Sequence, residues 1–239
     1  MSPTTRSNST GRGRNTAPLS FLPLAPGVAC GHNAIVSHDD MLREMRRRLW
    51  GARSGVLLAN DHALEVRVVI DPARGEPVFA ARPAVVEAES VTLFTPDEGE
   101  GALQLLGEPG RVAGGHALTA RWEAYYGTGE VGAWYRLQVE GVRLRGDVAE
   151  GVEVVAPSAV AGVERELCKA LNADTPALAR AVFVRAGERV TNPAALGLDP
   201  WGIDVRGKFG VIRLEFDEEA RTEDDARRLV AALLAGAGA

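Results

Sequence analysis

NPAALGLDPWGIDVRGKFGVIRLEFDEEARTEDDARRLVAALL, residues Asn192 to Leu234, sets turn, strand and helix signals in unbroken succession. Ala195-Leu196-Gly197-Leu198 runs into Asp199-Pro200-Trp201-Gly202, where proline fixes one φ and glycine accepts a positive one, so a turn is predicted. A short strand, Ile203 to Val205, follows. Arg206-Gly207-Lys208-Phe209-Gly210 then turns the chain into Val211 to Phe216, a second strand with Val211, Leu214 and Phe216 apolar. Thr222 is placed to cap a last helix through its hydroxyl, Asp225 falls in the first turn, and Leu229, Val230, Leu233 and Leu234 make one apolar stripe. The stretch reads as a small α+β unit, a terminal helix packed on a hairpin.

Upstream, Ser158 is expected to open a helix with Val160, Val163, Leu167 and Leu171 on one face. Thr175-Pro176 starts another with proline in the favoured first position. Glu150 to Pro157 is read as a junction. Before it, β signals dominate: Gly55 to Ala59, Leu64 to Ile70, Pro77 to Phe79, Val91 to Phe94, Leu103 to Leu106, Leu118 to Trp122, and a long run from Ala133 to Val148 with a bulge at Gly141. Short strands at such spacing predict a barrel or sandwich. Ser37 with Asp40 caps a helix carrying Met41, Leu42, Met45 and Leu49 at helical spacing. Arg43, Arg46, Arg47 and Arg48 crowd its other side, either as a solvated face or to receive a phosphate or an acidic partner.

The chain has 239 residues, 46% of them hydrophobic and 25% charged, enough to bury a core without covalent staples. A net charge of −5 argues against a nucleic-acid-binding surface. Cys30 and Cys168, the two cysteines, sit far apart and suggest neither a disulfide framework nor a metal site. A reducing, cytoplasmic setting fits. No run of eighteen apolar residues is present, so no membrane span is expected. Residues 1–36, poor in acids and rich in Ser, Thr, Gly and Pro, read as a disordered tail.

The order LGLDPWGIDVR…VIRLEF…TEDDARRLVAALL, with Arg165-Glu166-Leu167 and Asn172-Ala173-Asp174 before it, resembles the C-terminal domain of haem-utilisation proteins. There that domain follows an FMN-binding split β-barrel related to the pyridoxamine-phosphate oxidases. The resemblance implies an α+β fold: a split β-barrel over residues 37–150, followed by a small α/β C-terminal domain over residues 158–239. It also implies a homodimer through the barrel, with FMN or haem as cofactor. Strands of the pattern Arg-x-Val-Leu-x-Lys hold the coenzyme phosphate in the oxidase relatives, the arginine by a planar fork and the lysine as a point charge. Arg67-Val68-Val69-Ile70 matches the start of that pattern, which makes Arg67 the candidate cofactor-binding residue, set against an ion pair with Glu65 or Glu76. Pro72 stands where the lysine belongs, beside Asp71. The His-x-x-Asn signature is missing after Phe79, and Thr175 replaces the histidine of Asn-Ala-Asp-His.

Among the histidines, His62 and His116 fall in expected loops, while His32 and His38 flank the tail near Cys30. Trp122, Trp134, Tyr125 and Tyr126 either stack a planar ring or fill the core. No Gly-x-Ser-x-Gly, His-Glu-x-x-His, Walker or Gly-x-Gly-x-x-Gly motif occurs. The expectation is a non-catalytic or regulatory barrel protein with a protein partner; the alternative is an FMN- or haem-dependent oxidoreductase.

Overall fold

Period-two alternation through the middle of the chain rolls it into a cylinder. In the computed structural model, which describes residues 37–60, 62–86, 90–128 and 132–236 (of 84 and 85 the backbone alone), six strands form it. They are β1 (Ser54–Ala59), β2 (His62–Ile70), β3 (Pro77–Ala81), β4 (Val91–Thr95), β5 (Leu103–Val112) and β6 (Ala133–Leu144). All pair antiparallel in the order β3-β2-β1-β4-β5-β6, and β3 pairs with β6 to close the barrel. β7 (Asp147–Glu150) returns along β6 as a hairpin arm. This is the split-barrel-like α+β fold anticipated from the sequence. Leu57, Val68, Phe79, Leu93, Leu105 and Leu137 point inward and are fully buried, as the pleat requires of every second residue.

Helix α1 (His38–Gly51) starts where Ser37 accepts the Asp40 amide at 3.1 Å and lays Leu42, Met45, Leu49 and Trp50 into the same core. The bulge falls beside Gly141: pairing jumps from Leu106↔Gly141 to Gly107↔Val139, leaving Glu140 as the extra residue. Beyond it β5 continues to Val112 despite Pro109, because β4 stops pairing at Gly107 and the proline's missing N–H faces a free edge.

Leu118 to Trp122 is a helix, not the expected strand. α3 (Ala117–Tyr126) begins with the His116 ring accepting the Leu118 amide at 3.2 Å, and Leu118, Trp122 and Tyr125 recur at helical spacing to cover Val69 and Val78 on the outside of the barrel. Five residues are too short a window to separate the two periods. Two further short helices occur, α2 (Pro83–Val86) and α4 (Gly151–Val154).

The last part builds a three-stranded sheet in the order β10-β9-β8, from β8 (Ala194–Asp199), β9 (Gly202–Arg206) and β10 (Val211–Glu215). α5 (Ala161–Ala173), α6 (Thr175–Ala186) and α7 (Glu223–Gly236) cover it with Val163, Leu171, Leu178, Val182, Leu229 and Leu233. α5 starts three residues later than expected, since the Ser158 hydroxyl accepts the Val160 amide ahead of it. Asn172-Ala173-Asp174 is structural: the Asn172 amide bonds both N and O of Ala195 (2.7 and 3.1 Å), and Asp174 caps α6. Thr222 caps α7 through the Asp225 amide at 3.1 Å. The described residues fall in one unit, Val36–Ala239; the expected tail, with Cys30 and His32, lies outside them. No described helix is long and apolar enough to cross a membrane.

Candidate functional site

Arg67 lies on β2 with its side chain directed away from the barrel core and exposed. Its guanidinium sits over the ring of Tyr126, 5.4 Å from the centroid, and its carbonyl accepts the Trp122 indole N–H at 3.1 Å. It forms no ion pair among the described residues; Glu76, the partner considered for it, pairs instead with Arg136 at 2.9 Å. Among the described residues the cation–π contact is what fixes its guanidinium.

At the far end of the strand, the position where a phosphate-binding lysine would stand is closed. Asp71 is buried, accepts the Ala73 amide at 2.9 Å and faces Arg136 at 3.6 Å. The Pro72 carbonyl accepts the Ser158 amide at 2.9 Å. A Cβ at Gly75, whose φ is +76°, would come within 2.3 Å of the Ala156 carbonyl, so the junction segment presses on this turn. Burial raises the Glu76 carboxyl above its ordinary range, against the pull of Arg136 and Arg74. Two carboxylates and an occupied approach do not fit the phosphate of FMN.

The densest array of ionisable groups lies elsewhere, where the barrel meets the three-stranded sheet. Arg213 forks onto Asp199 (2.5 and 2.7 Å) and reaches Asp204 at 3.2 Å. Arg53, at the entrance to β1, bonds Asp204 and lies 3.7 Å from Asp199. Tyr125 donates to Asp204 at 2.8 Å, and Tyr126 donates to the carbonyls of Arg53 and Val68. Burial would push the Asp204 carboxyl up, but Arg53 and Arg213, with the Tyr125 hydrogen bond, hold it below its ordinary value. Burial, with Asp204 beside it, raises the Tyr125 phenol well above its usual value. Two guanidiniums and two carboxylates balance, and Trp201, carried on the β8–β9 turn, completes the seam by packing into the barrel core.

Gly197 is what allows this convergence. A Cβ there would stand 2.2 Å from the Tyr125 hydroxyl and 2.7 Å from Arg121. Neither Arg53 nor Arg213 was singled out in the sequence, since nothing in their local pattern points to partners so distant along the chain.

The α1 arginines lie on the outer side of the helix, Arg43 and Arg47 exposed, as a solvated face requires, and each also has a partner in the fold. Arg46 donates to the Glu153 carbonyl, Arg47 pairs with Glu215, Arg48 bonds Glu44 and the Gly101 carbonyl, and Arg43 lies over Trp201 and faces Glu219. They tie the helix to its surroundings. Trp122 and Tyr125 are buried on the face that α3 turns to the barrel, as core packing predicts. His116 caps that helix, His62 starts β2, and His38 stands 3.4 Å from Glu153. Thr175 opens α6 without an imidazole. These positions offer no set of axial ligands for haem, and no group of three or more His, Cys, Asp or Glu among the described residues could hold a metal ion.

No protein-family model and no curated protein matches the chain. Solved structures do. A protein of unknown function from Agrobacterium tumefaciens aligns with a TM-score of 0.61 at 22% identity, over 86% of this chain and 100% of its own. That likeness supports the fold. A haem-binding protein from Mycobacterium smegmatis aligns with a TM-score of 0.38 at 20% identity, over 82% of this chain and 97% of its own, too low to bear on the site.

Proposed function

We propose that this protein acts by binding a protein partner, in a scaffold or regulatory role, and not by turnover on a flavin or haem. The observation that carries this reading is the state of the coenzyme corner. Arg67 stands alone over Tyr126, and the turn beyond it is acidic and covered by the junction. The remaining buried charged side chains are engaged with one another, in the seam and in the Arg121–Glu164 pair. The test is the absorbance spectrum of the protein as isolated and after addition of FMN or haemin. A featureless visible spectrum that the additions leave as a simple sum supports the reading. Stoichiometric yellow colour or a shifted Soret band would restore the oxidoreductase alternative, and Arg67→Ala should then weaken FMN binding.

The same reading includes a homodimer formed through the barrel. On β1, β4 and β5 the inward residues Leu57, Leu93 and Leu105 are buried, while Val56, Leu58, Phe94 and Leu106 on the outer face stay partly exposed. Val56 lies opposite Phe94, Leu58 opposite Thr92, and Thr92 opposite Leu106, so four apolar side chains gather on the outer face around Thr92, with Gln104 beside Phe94. Such patches mark association surfaces. Light scattering at micromolar concentration should give twice the chain mass, and Phe94→Asp should halve it. A monomeric wild type would remove the claim.

A further inference from the structure

α5 has two working faces. Val163, Leu167 and Leu171 enter the core, while Ala161, Arg165, Cys168, Lys169 and Asn172 follow at helical spacing on a second face. This face, Arg121 from α3 and Leu196 from β8 line an open cavity of about 680 Å³ on the surface. We infer that the cavity binds a small organic anion, a carboxylate or phosphate group carried on an apolar body.

Its size lies within the range of small-molecule sites, and charged and aliphatic side chains share its walls. Charge supplies the direction. Arg165 and Lys169, four residues apart, are neighbours of like sign on one helix face, a repulsive arrangement. Neither forms an ion pair among the described residues. Arg121 is a third cation, with its side chain 17% exposed.

One carboxylate answers these three. Glu164 receives Arg121 at 2.7 Å and, through the same oxygen, the Leu198 amide at 3.1 Å. The lining thus carries a surplus of positive charge in a chain whose net charge is −5. An anion set between Arg165 and Lys169 would turn their repulsion into attraction, with no countercharge brought from elsewhere in the fold.

The floor accepts an apolar body. Leu196 and Ala161 are aliphatic, and burial pushes the Cys168 thiol up to about 12, so it is a neutral, polarisable wall. The frame is built before any ligand arrives. Asn172 clasps both backbone polar groups of Ala195, and the Arg121–Glu164 pair fixes α3 against α5. Preorganisation of this kind lowers the cost of binding. The inference is independent of the reading of the Arg67 corner.

The test is a titration of the full-length protein followed by amide chemical shifts. Benzoate and phenyl phosphate serve as probes, with benzamide as the uncharged control. Both anions are expected to move the amides of Ala161 to Ala173 and of Leu196 in a saturable way at about millimolar concentration. The tighter of the two identifies the preferred head group. Arg165→Gln with Lys169→Gln changes two exposed side chains, leaves thermal unfolding where it was, and should weaken binding by about tenfold or more. Raised salt should weaken it as well. The inference is overturned if neither anion moves these amides, if benzamide moves them equally, or if the double variant binds as the wild type does. Should that variant lose stability, Leu196→Trp, which fills the floor, must abolish the shifts instead.

Discussion

Asp204→Ala isolates what the buried seam contributes to stability. The Asp204 carboxylate accepts from Arg53, from Arg213 at 3.2 Å and from Tyr125 at 2.8 Å, and its side chain is 2% exposed. Its removal leaves two guanidiniums facing the single carboxylate of Asp199, in a place where water cannot take over the lost bonds. Breaking a buried ion pair by deleting one partner costs about 3–5 kcal/mol, most of it the stranded charge. For a chain of this size each kcal/mol lowers the melting midpoint by roughly 2–4 °C, so a fall of about 6–20 °C is expected. Thermal unfolding followed by circular dichroism and by tryptophan fluorescence measures it. Asp217→Ala serves as the control, because it removes an exposed bidentate partner of Arg185 and should leave the midpoint almost unmoved. If Asp204→Ala and Asp217→Ala shift the midpoint equally, the seam is not what holds the two layers together.

Further outcomes follow from the same contacts. The folded protein holds the Asp204 carboxyl below its ordinary 3.8, so its contribution is complete above that value and is lost as pH falls through the lower, folded one; the melting midpoint should drop on acidification below about pH 4, less steeply in Asp204→Asn. Gly197→Ala puts a methyl against the Tyr125 hydroxyl and Arg121 and should destabilise by about 1–3 kcal/mol, with a changed near-ultraviolet tyrosine signal. Asn172→Ala frees both polar groups of Ala195 on the outer strand β8, at a cost of about 1–3 kcal/mol, and hydrogen exchange at the Ala195 amide should accelerate.

What could be read from the sequence follows the range of the forces involved. Ser37 and Thr222 cap their helices, Pro176 opens α6, and the alternation through Ala133 to Leu144 sets inward and outward faces, because each depends on residues a few positions apart. Where two periods compete over a short window the reading fails: Leu118 to Trp122 shows its helical spacing only when Tyr125 is included. β5 runs past Pro109, since whether a proline faces an edge depends on where the neighbouring strand ends. The charge network was invisible for another reason. Arg53 finds Asp204 across 151 positions, and Tyr125 finds it across 79, distances over which no local pattern reports. Arg67 was found through a motif match, but its aromatic partner on α3 needed the helix that the sequence concealed.

The span of these contacts also governs when the molecule can be finished. Arg47 meets Glu215 across 168 positions, and among the described residues the acidic partners of Arg53 are Asp199 and Asp204. Closing such loops is entropically costly and slow. During synthesis the barrel strands leave the ribosome first, with Arg53 still lacking Asp199 and Asp204. Trp201 enters the core only after all six barrel strands have been made. A chain stopped before β8 therefore holds Arg53 without Asp199 and Asp204 and a barrel core without Trp201, and the β8–β9 segment supplies all three together.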